Sequence, residues 1–473
     1  MSREPICFLS IAFALLVISL LGGQIRVFAE TTLFDTDLKK YIDIDLKKYI
    51  DSIEENRKIP VKITVVDAAG KPLNNVSVEC TQISHEFYFG NTPEYLLFAY
   101  APYSYRRGGR FGIRPLNEGQ LEEYKRLYTE LFNYATLPAF YWADYEPVPS
   151  FLPLVEATNK IVQWLNKNKI TVKGHTLVWG NAPGVGVPGW VQAKGAIGKW
   201  EEVGSLLYER IRREVNQFKE RIQMWDVVNE PIVQRWFDNL PEDYIAKAYQ
   251  LVREIDPDAK LVLNEFGVLM NSNMRRRFIS LARRLIEENV PIDIIGVEAH
   301  IFDAKDLKTQ LANLEGIYKA LDEIATLGKP IHITEFQIPL TAVVEAFNVD
   351  LETAEKLQAE IARIFYTVFF SHPAVEAIVY WNFYRAWQPG SGFLRDDLTI
   401  KPMYYVLKDL IHKEWRTSVI LQTNSQGEVN FKGFAGKYRV KVKYGDQKKL
   451  FNITVSKKRM NDFVVVFDGS DNK

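Results

Sequence analysis

Cysteine is almost absent: the 473 residues include only Cys7 and Cys80. Cys7 lies in an apolar stretch at the amino terminus, so removal of that stretch would leave one thiol, which excludes an intramolecular disulfide framework. Histidine is also scarce, with six residues, and neither residue type recurs at spacings that hold zinc. No metal site is expected. No strand-like run is followed by a Gly-rich phosphate loop, the feature a nucleotide cofactor needs, and no cofactor is expected. A surplus of charge is missing too. Lys+Arg and Asp+Glu both number 59, which argues against nucleic acid as a partner and suits a neutral or weakly charged substrate.

What the chain does have is aromatic weight, 13% Phe, Trp and Tyr, and clear changes of pattern along its length. Ile6 to Leu21 is uncharged and follows Arg3. Residues 1–29 therefore read as an export signal, with "VFA" ending at Ala29 as a cleavage site, or as an uncleaved membrane anchor. Either reading places the rest of the chain outside the cytoplasm, secreted or held on the outer face of the membrane. No later apolar run has spanning length.

Residues 30–58 contain a tandem octad, "TDLKKYID" followed by "IDLKKYID". Leu38, Tyr41, Ile42, Leu46, Tyr49, Ile50 and Ile53 recur at spacings of three and four, which predicts one stripe of an amphipathic helix acting as a spacer. A membrane-surface or partner-binding helix would show the same stripe. From Ile59 the period changes to two, and residues 59–86 alternate apolar and polar around an Ala-Gly-Lys-Pro turn. Residues 415–473 alternate in the same way. Each segment has too few strands to be stable alone, so the two are expected to pack on each other or on the middle of the chain.

The middle, residues 87–414, holds eight apolar runs ending in polar or aromatic residues: "FYFGN", "FNYATL", "TVKGHTLVW", "IQMWDVVNE", "KLVLNEF", "IDIIGVEAH", "PIHITEF" and "AIVYWNF". Helical stretches separate them. Strand and helix alternating eight times predicts a parallel (β/α)8 TIM barrel whose active site lies at the carboxyl ends of the strands. An open doubly wound sheet is the structural alternative, but the phosphate loop that usually accompanies it is lacking.

In such a barrel the strand ends converge, gathering His175, Trp179, Asn229, Glu230, Asn264, Glu265, Glu298, His300, Glu335, Gln337, Trp381 and Asn382. Charged groups in that mouth are costly to desolvate unless paired or used. Hydrolysis of a glycosidic bond needs two facing carboxylates, one to protonate the leaving oxygen and one to attack the anomeric carbon or activate water. Glu230 and Glu335 are the best-placed pair. Alone, Glu230 reads equally well as a helix-capping carboxylate. Glu265 reads as structural rather than substrate-binding, and His332, inside a strand, is assigned no chemistry.

Four motifs, "KGHTLVW" (173–179), "WDVVNEP" (225–231), "IDIIGVEAHI" (292–301) and "ITEFQIP" (333–339), in this order and at these strand ends, resemble glycoside hydrolase family 10, the retaining endo-β-1,4-xylanases. The resemblance extends over about residues 87–413. It implies Glu230 as acid/base and Glu335 as nucleophile, Asn229 on the sugar 2-hydroxyl, and His300 on the nucleophile. It also implies His175, Trp179, Trp381, Trp387 and Gln337 as substrate-binding groups.

Several positions depart from the family. Its Glu-Asn-Glu-Met-Lys-Trp stretch, whose Asn and Lys hold the next sugar, is "LPAFYW" here, Leu137 to Trp142. The His and Gln usual after "LVW" are replaced within "GNAPGVG". Glu298 stands for a glutamine, and Gln337 for an acidic residue. An ionised Glu298 near Glu335 would raise a pKa in the site.

The expected protein is thus an exported or anchored glycosidase acting on xylan or a related polysaccharide. The alternatives are a glycosidase of the same mechanism on another β-glycan, and a carbohydrate-binding protein without turnover.

Overall fold

Period-two segments from both ends of the chain meet in two facing sheets. The structure, a computed structural model, describes residues 38–101, 116–385 and 387–468. The amino-terminal apolar segment with Cys7 lies outside these residues. Strands β1 (Lys58–Val66) and β2 (Ser77–His85) come first in the chain. The barrel strands follow: β3 (Tyr88–Asn91), β4 (Tyr134–Leu137), β5 (Thr171–Gly174) continued by β6 (Val178–Trp179), β7 (Met224–Asn229), β8 (Lys260–Glu265), β9 (Ile294–His300), β10 (Ile331–Gln337) and β11 (Val375–Tyr380). Last come β12 (Ser418–Gln422), β13 (Glu428–Phe434), β14 (Gly436–Tyr444), β15 (Gln447–Val455) and β16 (Asp462–Val466).

The terminal strands form one sheet in the order β13-β1-β16 and a second in the order β12-β2-β14-β15. Every pairing in them is antiparallel except β1 with β16. Alternate residues of each strand point between the sheets, where Val61, Ile63, Val65, Val78, Val440 and Val442 share a core with Cys80. Burial pushes the Cys80 thiol up to about 12, so it behaves as a small apolar group. The sandwich is thus built from both flanks of the chain, with the barrel sequence running between β2 and β12.

The eight-stranded barrel is closed and parallel. Its strands pair from β5 through β4, β3, β11, β10, β9 and β8 to β7, and the β5–β7 pairing completes the circle. Its lumen is layered. Tyr134, Met224, Val262, Ile294, Ala377 and Val379 fill the amino-terminal end with Tyr88 packed against them. His332 sits at this level beside the Tyr88 and Tyr134 rings. Both His332 nitrogens are buried without a hydrogen bond, and burial pushes the ring down to about 3, so it stays neutral. Polar residues begin one layer higher, which puts the chemistry at the carboxyl ends.

The sandwich sits at the opposite end, because β2 leads within two residues into the start of β3. Phe370 and Trp415 stack at 4.2 Å between ring centroids beside Phe89 and Phe434, cementing the two units.

The tandem octad does not form one helix. Leu38–Tyr41 is a turn, and the helix runs only over Lys47–Asn56. Asp45 explains the break. Its Oδ1 accepts the Lys47 N–H at 2.8 Å, a local bond that competes with continuing the helix through Asp43–Asp45. Nor is the segment a free spacer. Leu46, Tyr49 and Ile53 are buried, and the Tyr49 ring lies 5.8 Å from Tyr318. Just after the helix, the buried Arg57 donates to the carbonyls of Phe370 (2.6 Å), His372 (2.5 Å) and Val375 (2.7 Å) at the entry to β11.

Candidate active site

The lowest polar layer is an ion pair. Lys173 on β5 and Asp226 on β7 are fully buried, with Nζ 2.7 Å from Oδ2. The same oxygen lies 2.8 Å from His175 Nδ1. Burial pushes the Asp226 carboxyl up, but the Lys173 ammonium and His175 outweigh it, and the group is held below its ordinary value. His175 is thereby fixed with Nε2 turned toward Glu335, 3.9 Å from Oε1.

Asn264, at the end of β8, is the hub of the next layer. Its amide nitrogen faces Asn229 Oδ1 at 2.7 Å, Glu298 Oε1 at 2.9 Å and Glu335 Oε1 at 3.3 Å, while Thr334 donates to its oxygen at 2.6 Å. Gly296 makes room for it, since a Cβ there would come within 2.5 Å of Asn264 Oδ1. The strand-end reading collected Asn264 but gave it no task. That an amide links three acceptors from three other strands depends on non-local packing.

Glu335, on β10, is buried with Oε2 3.1 Å from His300 Nε2. Glu298 is its register partner on β9 and lies 3.6 Å from the same His300 nitrogen. Burial, then the neighbouring Glu335 charge, holds the Glu298 carboxyl well above the usual range, which favours its protonated form. Glu298, His300 and Glu335 bring donor atoms within 4.8 Å of one another, a spacing that could also hold a cation. Their mutual contacts and those with Asn264 account for the cluster without one.

Glu230 follows β7 with φ +52°. This left-handed conformation, uncommon for a residue with a side chain, turns the chain out of the sheet. The Glu230 N–H reaches the Asn264 carbonyl at 2.9 Å. Glu265 steadies the loop beyond by accepting the Ile232 N–H at 2.7 Å and the Phe266 N–H at 3.0 Å. Its contacts are therefore structural, and burial pushes its carboxyl up to about 8. The Glu230 carboxylate accepts a hydrogen bond from Trp179 Nε1 at 3.1 Å. Burial, followed by the Glu335 charge, raises its pKa, as suits an acid that must hold its proton near neutrality.

These groups open into a cleft of about 670 Å³. Trp179, Glu230, Glu298, His300, Glu335, Trp381 and Trp387 line it. Trp381 packs edge-on against His175, its centroid 5.4 Å away. Trp387 stands at the mouth, 42% exposed and edge-on to His300. His175 and Asn229, each 2% exposed, lie behind this lining.

Gln337 differs from the expectation of a substrate contact. It stands in register with His300 of β9, which lines the cleft, but its own side chain does not reach it. It is fully buried, its amide makes no hydrogen bond, and it is not part of the cleft lining. The loop regions also contribute groups that strand-end reasoning missed. Helix Glu94–Tyr100 supplies Glu94, Leu97 and Phe98, and the "LPAFYW" stretch supplies Pro138 and Tyr141. Tyr141 lies against Trp179 at 5.4 Å between centroids. The apolar run "YLLFAY" is the visible signal for the helix, but nothing in it says that the helix flanks a cleft.

Comparisons with known proteins point the same way as the geometry. The family description "Glycosyl hydrolase family 10" matches residues 122–409. Endo-1,4-beta-xylanase B of Thermotoga neapolitana is 31% identical over 280 residues, 55% of this chain and 75% of that protein. Anti-sigma-I factor RsgI6 of Acetivibrio thermocellus is 28% identical over 396 residues, covering 82% of this chain but only 45% of its own length. Among solved structures, xylanase 10B from Thermotoga petrophila RKU-1 in complex with xylobiose superimposes with a TM-score of 0.54 at 28% identity, over 70% of this chain and 95% of that one.

Proposed function

The chain belongs to glycosyl hydrolase family 10, and from that membership we propose that it is a retaining xylanase-like glycosidase cutting internal β-1,4 linkages of xylan or a related polysaccharide. The observation that carries the roles is the contrast between the two carboxylates. Glu230 accepts the Trp179 N–H and is raised above its ordinary pKa, whereas Glu335 sits among the donors Asn264 and His300.

In the first step Glu335 attacks the anomeric carbon while Glu230 gives its proton to the departing glycosidic oxygen. Ester formation removes the charge on Glu335. That charge is one of the causes holding Glu230 up, so its loss lowers the Glu230 pKa and turns the spent acid into a base. Glu230 then takes a proton from water as the water attacks the same carbon, which restores both groups and retains the configuration. Asn264 keeps Glu335 oriented with His175 beside it, and the 2-hydroxyl contact is assigned to Asn229 from the family motif, its side chain held by Asn264 just behind the lining. Trp179, Trp381 and Trp387 offer faces to the sugar rings.

Pro138 and Tyr141 line the cleft where the family's amide and ammonium contacts are replaced. This favours, as a second reading of substrate, a β-glycan other than xylan. A carbohydrate-binding protein that keeps the barrel without turnover is the third reading. Retention of both Glu230 and Glu335 weighs against it. Hydrolysis of an aryl β-xyloside or aryl β-cellobioside by the wild type and its loss in Glu335→Ala supports the enzyme; equal residual activity in both refutes it. Products from xylans, glucans and mannans then identify the polymer. The uncharged run near the amino terminus supports export, with the protein secreted or held at the outer membrane face. No helix among the described residues is long and apolar enough to cross a membrane.

A further inference from the structure

The chain is neutral overall, yet positive charge is gathered on one face of the sandwich. Residues of β14 that point away from the core are Lys437, Arg439, Lys441 and Lys443, and Lys448 of β15 stands opposite Lys443. Lys441 is bonded to Glu79 at 2.9 Å, whereas among the described residues the other four make no salt bridge. The outer face of the β13-β1-β16 sheet is different, since Lys62 there is paired with both Asp462 and Glu428.

Two ordinary explanations fail. Lysines commonly guard exposed sheet edges against pairing with other chains, but β14 is an interior strand between β2 and β15. Charges on a sheet face also gain from opposite neighbours, yet Lys443 and Lys448 are like charges in register, an arrangement that destabilises the pair. Such a row gains stability from counter-charge supplied from outside. Successive outward residues lie about 7 Å apart, so Lys437 to Lys443 forms a line of about 20 Å along the strand. No aromatic ring points outward on this face, which argues against a stacking platform for neutral sugars.

We propose that this face binds a linear acidic polysaccharide, with uronate carboxylates seated along β14 between Arg439 and its neighbours Thr81 and Asn452. The straight row suits an extended polyanion, and the choice of a polysaccharide rests on the glycan-cleaving reading of the barrel. The face lies on the unit at the amino-terminal ends of the barrel strands, away from the cleft, so binding and cleavage are separable.

The test is affinity electrophoresis of the full chain in gels containing polygalacturonate, glucuronoxylan or a neutral arabinoxylan. Aryl β-xyloside hydrolysis is measured on the same samples. The wild type should be retarded by the acidic polymers, with affinity falling about tenfold or more from low to physiological salt as counterion release predicts. Lys437→Glu/Arg439→Glu/Lys443→Glu should lose the retardation and keep its hydrolytic rate. The milder triple glutamine variant should be intermediate, which guards against misfolding of the charge-reversed protein. Equal retardation of wild type and charge-reversed variant, or none on either acidic polymer, overturns the proposal. So does charge-dependent binding found only with duplex DNA or with phosphatidylglycerol vesicles. Absence of hydrolysis by the wild type, with its retardation intact, refutes the glycosidase reading instead.

Discussion

Trp179→Phe isolates a single proton-holding contact. Phenylalanine keeps an aromatic face toward the cleft but removes the N–H that Glu230 accepts at 3.1 Å. That bond favours the ionised carboxylate and opposes the burial and the Glu335 charge that raise its pKa. A hydrogen bond to a charged group contributes about 1.5–3 kcal/mol, and one pH unit corresponds to about 1.4 kcal/mol. Loss of the bond should therefore raise the Glu230 pKa by about one unit, with about two as the upper bound where no water replaces the indole. An acid works while protonated, so the alkaline limb of kcat/KM should move to higher pH by that amount. The assay uses a phenyl β-glycoside, whose poor leaving group needs the proton. A dinitrophenyl glycoside, which needs none, should show no corresponding limb. An unmoved or lowered limb in an active Phe variant would refute the reasoning, as would the same shift with both leaving groups.

Glu230→Ala should reduce turnover of the phenyl glycoside by about 10²- to 10⁴-fold, whereas on the dinitrophenyl glycoside, whose first step needs no proton, added azide should speed release of the glycosyl-enzyme as a glycosyl azide; no azide product would remove the acid/base assignment. Glu298→Gln should stay within a few-fold of wild type at neutral pH, because both side chains are then uncharged and either can accept from Asn264. At high pH the wild type ionises and the variant does not, so identical pH profiles would show that Glu298 does not titrate into the reaction. Arg57→Ala strips a buried cation from three backbone carbonyls and should cost about 3–5 kcal/mol of stability, read from urea denaturation. Lys173→Met leaves Asp226 buried without its cation and should cost a similar amount, about 3–5 kcal/mol at neutral pH. The Asp226 pKa is depressed in the fold, so its contribution is present above the unfolded carboxylate pKa and fades as pH falls through the folded one. The gap between wild type and Lys173→Met should accordingly narrow in acid, and a gap that widened there would contradict the pairing.

The barrel was legible because its code is local: each strand announces itself as an apolar run, and the residue ending the run is aimed by the architecture rather than by its neighbours. Glu230 and Glu335 could be found in this way, as could the aromatics Trp179 and Trp381. Two-residue periodicity marked the terminal strands, but not that β1 would lie between β13 and β16, a pairing set by contacts hundreds of residues apart. The octad misled for a related reason. Its apolar spacing is continuous, while the break comes from one aspartate oxygen that captures a neighbouring N–H.

Gln337 marks a finer limit. Period two puts it on the same side as Glu335, yet Glu335, Glu298 and His300 of the same paired strands line the cleft and Gln337 does not. Which strand-end side chains reach open space is a matter of tertiary packing. The same holds for Asn264, whose spacing in the sequence gives no sign that its amide serves Asn229, Glu298 and Glu335 together. Sequence thus located the two carboxylates that line the cleft, and packing decided which neighbours hold them, so the raised pKa values of Glu298 and Glu230 follow only from the assembled site.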